Sequence, residues 1–420
     1  MAKNLNDIAW EKLLKDIPVV SEVDAHGFFD IDSKTIKNYR EARLMCKIDF
    51  KENIPSVFQT NGLSVLSIVN KQYRIARTNP FLDINQEPLL LKPVDKTFSI
   101  PPYLESLSSE NITSESKALD AAQASGMLDY LTNDESFLTV RGRVYSQGFK
   151  FSLNDAKNNI IEYPIQSVQL EVDGGYEGRH GLSLIEAKMG FSDNMNLRQL
   201  LYPQINFSTL LKKPVRTYLF FYETGGFFHF IPFFYDGKNS SFDYANHKLF
   251  KLEAPKRVEP KELLKTKVNN DLTGFNAPFP QADRFNKVME VFLKLGELEC
   301  ATKDELFFDF DLVTRQWDYY LNALIWLGLA TKDTANECFV LSEKGILLFE
   351  STENERIFEI AKIAFSNDIF SAFLSVENPT INQSLKTRNG LTSDSTFLRR
   401  MQTVRSWKKH IFSLLGLNDA

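Results

Sequence analysis

The sequence predicts a multidomain protein of mixed α/β class, and three observations carry that expectation. Its 420 residues exceed a single core of ~100–200 residues, so about two to four domains are expected. Helix-periodic and strand-like runs interleave between residues 112 and 250. From residue 283 onward the periodicity turns helical. Hydrophobic residues make up 43% and charged residues 25%, near globular averages, which excludes disordered and fibrous classes. A net charge of -5 excludes a uniformly basic nucleic-acid coat but leaves local basic patches open. Phenylalanine is unusually common at 35, and aromatic residues reach 13%.

Taken in order, residues 4–17 (NLNDIAWEKLLKDI) read as an amphipathic helix with Ile8, Leu13, Leu14 and Ile17 on its apolar face. SVFQT, LSVLSIV and QYRIAR follow as short strands. Pro93 to Pro102 reads as a boundary. Residues 1–105 are therefore expected to form an N-terminal α/β domain. Lys37, Arg40 and Arg43 fall at helical spacing there and, with Lys47, make a candidate phosphate-facing patch.

Residues 106–255 are expected to form the central unit, a mixed sheet flanked by helices. Ser114-Glu115 caps a helix over KALDAAQASGMLDYL. FLTVRGRVYSQGFKFSL, SVQLEVDGG and HGLSLIEAKMG read as strands, NLRQLLYPQINFSTLLKK as a helix, and VRTYLFFYE and GFFHFIPFFYD as aromatic strands. Alternating burial explains the aromatics of FFHFIPFFYD better than a base-stacking platform does. His229 reads as a strand residue near the core and His180 as a loop residue. Residues 256–282 suit a linker. DRFNKVMEVFLKLGEL, VTRQWDYYLNALIWLGL, a hairpin over ATKDTANECFVLS, and EKGILLFES give residues 283–352 the order of a winged helix-turn-helix module. Residues 353–420 are expected to form a C-terminal helical segment with a basic patch.

Cys46, Cys300 and Cys338 show no metal-ligand spacing, and their odd number argues against a disulfide framework. The start MAKNLNDIAWEKLL carries charges within its apolar run, unlike a signal peptide. No stretch approaches the ~18 uncharged apolar residues of a membrane span. A cytoplasmic, reducing environment is expected.

Chemistry concentrates in LEVDGGYEGRHGLSLIEAKMG. Asp173 is expected to end one strand, with Gly174 and Gly175 permitting a sharp exit. Glu186 and Lys188 lie near the end of the next strand and, two apart, share a face. Two converging carboxylates repel unless a cation lies between them. Mg²⁺ is the hard cation held by one or two carboxylates plus substrate phosphate. A lysine beside it would position or deprotonate the attacking water, or neutralise the phosphorane. Glu171 shares Asp173's strand face and is the reserve ligand. Gln199 and Tyr202, three apart, lie on one face of the following helix.

Together, D…ExK…QxxY within this element order resembles the PD-(D/E)XK nuclease superfamily, most strongly over residues 112–235. Val172 stands where the family usually has proline, and QxxY is one residue shorter than the exonuclease-type motif. The resemblance implies a restriction-endonuclease-like central sheet and a metal-dependent phosphodiesterase. By position, Asp173 and Glu186 would bind the metal and Lys188 would be the catalytic lysine. Gln199 would support them, and Glu115 corresponds to the acidic residue many members place on the preceding helix. IKNYREARLMCKIDFKENIPSVF, RGRVYSQGF and STFLRRMQTVRSWKKHI extend the likeness to multidomain type II restriction endonucleases. The implied cofactor is Mg²⁺ and the implied partner double-stranded DNA, with a cognate DNA methyltransferase as genetic partner, no membrane, and a homodimer among the open oligomeric states.

DNA contact is expected at Thr314, Arg315 and Gln316, with Tyr319, at the start of the recognition-helix position, since Arg and Gln pair bidentately with guanine and adenine. Arg399, Arg400 and Arg405, among Lys386, Arg388, Lys408 and Lys409, are expected to touch phosphate. Two alternatives stay open: a non-catalytic winged-helix DNA-binding regulator, and a repair or junction nuclease of the same superfamily.

Overall fold

The computed structural model describes residues 4–253 and 277–415, apart from positions 102, 105, 110, 375, 377 and 378, together with the single positions 263, 266 and 417. Most of the expected linker therefore lies outside the described residues. Among the described residues 42% are helical and 26% strand, the mixed α/β class.

The N-terminal unit packs helices α1 (Leu5–Asp16), α2 (Val19–His26), α3 (Ser33–Lys37), α4 (Ala42–Cys46) and α5 (Ser56–Asn61) on an antiparallel sheet. That sheet has the order β1 (Phe28–Asp32), β3 (Gln72–Ala76), β2 (Ser64–Val69). Asn4 caps α1 by accepting from Asp7 N, and Asp7 bonds back to Asn4 N, a reciprocal box that satisfies two orphan donors. The buried side of α1 is Ala9, Trp10 and Leu13, while Ile8 is exposed. SVFQT, expected as a strand, is the helix α5. Pro55 precedes it, Gly62 ends it in the left-handed region, and Phe58 packs on Trp10 with ring centroids 4.5 Å apart.

The central sheet has the order β5 (Lys96–Phe98), β15 (Lys248–Leu252), β13 (Phe227–Tyr235), β12 (Val215–Glu223), β10 (Leu182–Met189), β9 (Gln169–Glu177), β6 (Phe137–Tyr145), and β14 (Ser240–Phe242) adds to β13. The stretch expected to separate two domains thus contributes an edge strand. Another short strand, β4 (Phe81–Asp83), pairs with β11 (Asn194–Asn196). A hairpin of β7 (Phe149–Asn154) and β8 (Ile160–Ile165) lies beside β2.

Strands β10 and β12 are parallel and in register, with Glu186 opposite Leu219 and Lys188 opposite Phe221. A parallel pair needs a crossover, and the helix α9 (Arg198–Leu210) supplies it. One sheet face buries Ile185, Ala187, Phe220 and Phe230 under α7 (Glu115–Ala124) and α8 (Met127–Thr132). The other buries Leu219, Phe221 and Ile231 under α9 and strands of the N-terminal unit. The expected single helix over 117–131 is broken into α7 and α8 at Gly126, which is left-handed. A short α6 (Glu87–Leu90) precedes β5.

The C-terminal unit runs α10 (Phe285–Leu298), β16 (Cys300–Ala301), α11 (Lys303–Leu306), α12 (Thr314–Trp326), β17 (Ala330–Asp333), β18 (Cys338–Leu341) and α13 (Glu343–Glu350). Its sheet order is β16-β18-β17, with β17–β18 as the expected hairpin. Then follow α14 (Glu353–Phe365), α15 (Asp368–Ala372), α16 (Gln383–Arg388) and α17 (Asp394–Leu415). Cys300 and Cys338 form a disulfide joining β16 to β18, correcting the expectation of unpaired cysteines. Cys46 is free and buried. Among the described residues no helix is long and apolar enough to cross a membrane.

The C-terminal unit is anchored on the central sheet by a buried carboxylate. Glu353 accepts from Tyr222 Oη at 2.6 Å and from Gly225 N at 3.1 Å.

Candidate active site

The site forms where β9 and β10 part. Their ladder ends at the pair Ile185–Gly174. One residue further, the Asp173 side chain takes over: its Oδ2 accepts from Ala187 N at 2.8 Å. Asp173 therefore lies in the middle of β9, correcting the expectation that it ends the strand. The two glycines do not make a turn. They sit in the strand because neighbours leave no room: a Cβ on Gly174 would meet Tyr176 at 2.7 Å, and one on Gly175 would meet Val140 at 2.8 Å. Against β6, Val140 pairs with Gly175 and Gly142 with Val172. The extra residue on β9 falls at Asp173–Gly174, a bulge that re-aims a side chain.

On β10, Ala187 enters the core below α7 while Glu186 and Lys188 project to the α9 side, as the alternation predicts. Lys188 Nζ donates to Glu186 Oε1 at 2.6 Å and to Ala187 O at 3.1 Å. Gln199 Nε2, in the first turn of α9, donates to the same Glu186 Oε1 at 2.6 Å. The Gln199 amide oxygen is buried without a partner. Tyr202 lies on the same helical side, but its hydroxyl is committed to Ser67 O at 3.1 Å. The next turn of chain closes the site: Gly190 takes φ +80, and a Cβ there would collide with Glu290 of α10.

The electrostatics follow from crowding. Burial, with Asp173 and Glu115 nearby, pushes Glu186 up to about 8 despite Lys188. Burial pushes Glu115 up to about 7, with Asp173 adding to it against Lys188. Burial likewise raises Asp173, with Glu171 adding to the effect and Lys188 and the Ala187 amide opposing it. Burial works against the Lys188 ammonium, yet Glu186, Glu115 and Asp173 outweigh it and hold it well above the usual lysine range. Lys188 is thus held as a cation by the carboxylates around it.

A cavity of about 420 Å³ holds these groups, and Glu171 lines it as well. Its walls also include Lys47 and Asp49 of the N-terminal unit and Lys287, Glu290 and Lys294 of α10. Asp49 accepts from Arg198 Nη2 and faces Lys47 Nζ at 3.3 Å. Sequence reasoning missed Asp49 and Arg198. Arg198 had a local signal, standing directly before Gln199, but Asp49 had none. Among the described residues no three His, Cys, Asp or Glu side chains form a ready-made metal cluster.

The expected DNA-contact residues divide. Arg315 is exposed. Gln316 Oε1 accepts from Val313 N at 3.2 Å, capping its own helix, and Thr314 Oγ1 accepts from Asn4 Nδ2 at 3.5 Å. Thr314 and Gln316 thus each already make a hydrogen bond within the protein. Arg399 and Arg405 are exposed on α17, with Arg405 over the Phe373 ring at 5.6 Å, and Arg400 donates to Gln281 Oε1 at 2.7 Å. Lys408 is buried, and Arg388 pairs with Asp368 at 3.2 Å, so the basic patch is smaller than its sequence suggests. In the N-terminal unit, Lys37, Arg40 and Arg43 do not share one helix: Arg40 lies between α3 and α4 and pairs with Asp304 at 3.6 Å. Lys47 reaches Asp309 at 2.8 Å.

Three family models match the chain, each a domain of unknown function: DUF6996 over residues 7–75, DUF6997 over 77–252 and DUF7226 over 287–416. No curated protein and no solved structure matches it. The three matched spans follow the three structural units, and the cavity draws its walls from all of them.

Proposed function

We propose that the protein is a Mg²⁺-dependent endonuclease of the PD-(D/E)XK superfamily that cuts double-stranded DNA at a specific sequence, as type II restriction enzymes do. The observation that carries this reading is the convergence of Asp173, Glu186, Lys188 and Gln199 where β9 and β10 part. Glu115 adds a third crowded carboxylate. Crowding and burial raise all three carboxyls, and a divalent cation would hold them ionised.

The donor set suits Mg²⁺. Hard carboxylate oxygens from Asp173 and Glu186 would hold it, with substrate phosphate and water completing the shell. Lys188 and Gln199 both use Glu186 Oε1, which leaves Oε2 for the ion. A bound Mg²⁺ would acidify water and stabilise phosphodiester charge in the transition state. The chain's own groups do the rest. Lys188, held charged, stabilises negative charge on the scissile phosphate. Gln199 fixes Glu186, and its orphaned amide oxygen is an acceptor able to orient a water proton. Asp173, held by the Ala187 amide, keeps a single orientation.

The parallel β10–α9–β12 crossover and the neighbouring antiparallel strands support a restriction-endonuclease-like sheet. The order α10-β16-α11-α12-β17-β18 supports a winged helix beside it. The non-catalytic regulator is disfavoured because competent residues occupy the site.

Incubation of the purified protein with Mg²⁺ and phage DNA tests the proposal. Discrete bands that vanish in Glu186→Ala are expected. Nonspecific smearing would move the assignment to a repair or junction nuclease, and DNA binding without any cutting would move it to a regulator. A DNA methyltransferase gene beside this one would favour restriction, and cytoplasmic action is part of that reading.

A further inference from the structure

The N-terminal unit reaches the catalytic carboxylates through one buried side chain. Residues 48–52 lie against residues 194–198, the segment that leads from β10 into α9. Asn196 N donates to Asp49 O at 2.7 Å, Asn196 Nδ2 to Ile48 O at 2.9 Å, and Lys51 N to Asn194 Oδ1 at 2.7 Å. Asn194 Nδ2 contacts both carboxylate oxygens of Glu52 at 3.0 Å. Within this seam Asp49 is only 4% exposed. Its carboxylate holds Arg198 on one side and Lys47 on the other.

Arg198 directly precedes Gln199, and its charge is within electrostatic reach of Glu186. A guanidinium freed in this cavity has an obvious new partner, because Glu186 is a buried carboxylate with a neutral amide and one ammonium as its present donors. Bidentate pairing with carboxylate is the geometry arginine favours. Such a pair would occupy the oxygen a cation needs and displace Gln199.

We propose that Asp49 is a positioning residue of the active site: by holding Arg198 it keeps Glu186 bonded to Gln199 and Lys188 and open to a divalent cation. The proposal rests on the metal-nuclease reading above. It makes the N-terminal unit part of the active site, and it gives residues 7–75 a role separate from DNA contact.

The test uses the full chain and Mn²⁺ as a calorimetric probe, without turnover. Asp49→Asn is expected to weaken Mn²⁺ binding by roughly 10- to 100-fold, the loss typical of outer-shell partners of metal ligands. Asp49→Asn combined with Arg198→Gln is expected to recover most of that loss, since the competing cation is gone, and Asp49→Glu is expected to retain binding close to wild type. A tie that merely joins two units would leave Mn²⁺ affinity unchanged in Asp49→Asn and would not be repaired by Arg198→Gln. Unchanged Mn²⁺ affinity in Asp49→Asn, or a double variant weaker than the single, would overturn the proposal. If Glu186→Ala itself leaves Mn²⁺ binding intact, the metal reading fails and this proposal falls with it. If Glu186→Ala abolishes binding while Asp49→Asn does not alter it, only the role of Asp49 fails.

Discussion

Replacing Glu186 with Gln should stabilise the metal-free protein, increasingly so as pH rises. Glu186 is buried and sits beside Asp173 and Glu115, which with burial push it from 4.5 to about 8. The sign follows from linkage: a folded-state pKa raised above its unfolded value gives stability present below the unfolded pKa and lost as pH rises through the folded one. The window therefore runs from about pH 4.5 to about pH 8. At 1.36 kcal/mol per pKa unit, its full span corresponds to about 5 kcal/mol, or about 1 kcal/mol for each pH unit near neutrality. That slope amounts to roughly 2 °C in Tm per pH unit for a protein of this size. Thermal unfolding from pH 5 to 8, in EDTA and in Mg²⁺, reads it directly. Wild type in EDTA should lose stability across the window, and Glu186→Gln should be flatter. Added Mg²⁺ should raise the wild-type Tm most at the alkaline end, because binding requires the carboxylate. Equal slopes for wild type and Glu186→Gln would refute the reasoning.

Asp173→Ala should abolish cleavage while DNA binding persists in a mobility-shift assay. EDTA should act the same way, and Ca²⁺, with its longer and looser coordination, should support binding without cutting; efficient cleavage in Ca²⁺ would count against the mechanism. Arg315→Ala should relax site preference, while Gln316→Ala should cost about 1 kcal/mol of stability through its lost capping bond, separable by comparing cleavage patterns with denaturant melts. Arg399→Ala with Arg405→Ala should weaken binding to all sequences and flatten its salt dependence, seen in titrations at several salt concentrations. Tyr222→Phe should destabilise the protein by about 2 kcal/mol, since it strips a charge-assisted bond from buried Glu353, and chemical denaturation measures this.

Local pattern carried the strands of the candidate site well. VRTYLFFYE is β12 residue for residue, and the alternation in LIEAKM separated Ala187 from Glu186 and Lys188. The spacing of Gln199 from the ExK strand placed it on the site because a helix start is fixed by the strand it follows. What failed was information held by distant neighbours. Gly174-Gly175 reads locally as a turn, and only Tyr176, Leu119 and Val140 explain why glycine is needed inside a strand. SVFQT has β-branched and aromatic residues, yet the Phe58 contact with Trp10 and its flanking Pro55 and Gly62 make it helical. Cys300 and Cys338 meet only because β18 folds back beside β16. Asp49 is 149 residues from Arg198, and no spacing rule reaches that far.

The shared cavity has a consequence for how such a gene can change. Each unit has a hydrophobic cluster of its own, and a further cluster joins the N-terminal strands to the central sheet. Lys47 and Asp49, Glu186 and Lys188, and Lys287 and Glu290 face one space from three different matched spans. Exchanging one span for a distant counterpart would break the wall of the cavity even where the three units still fold. Recombination within this architecture is therefore constrained at the seams, and surviving hybrids should carry compensating changes at residues 48–52, 194–198 and 287–294, where the spans meet.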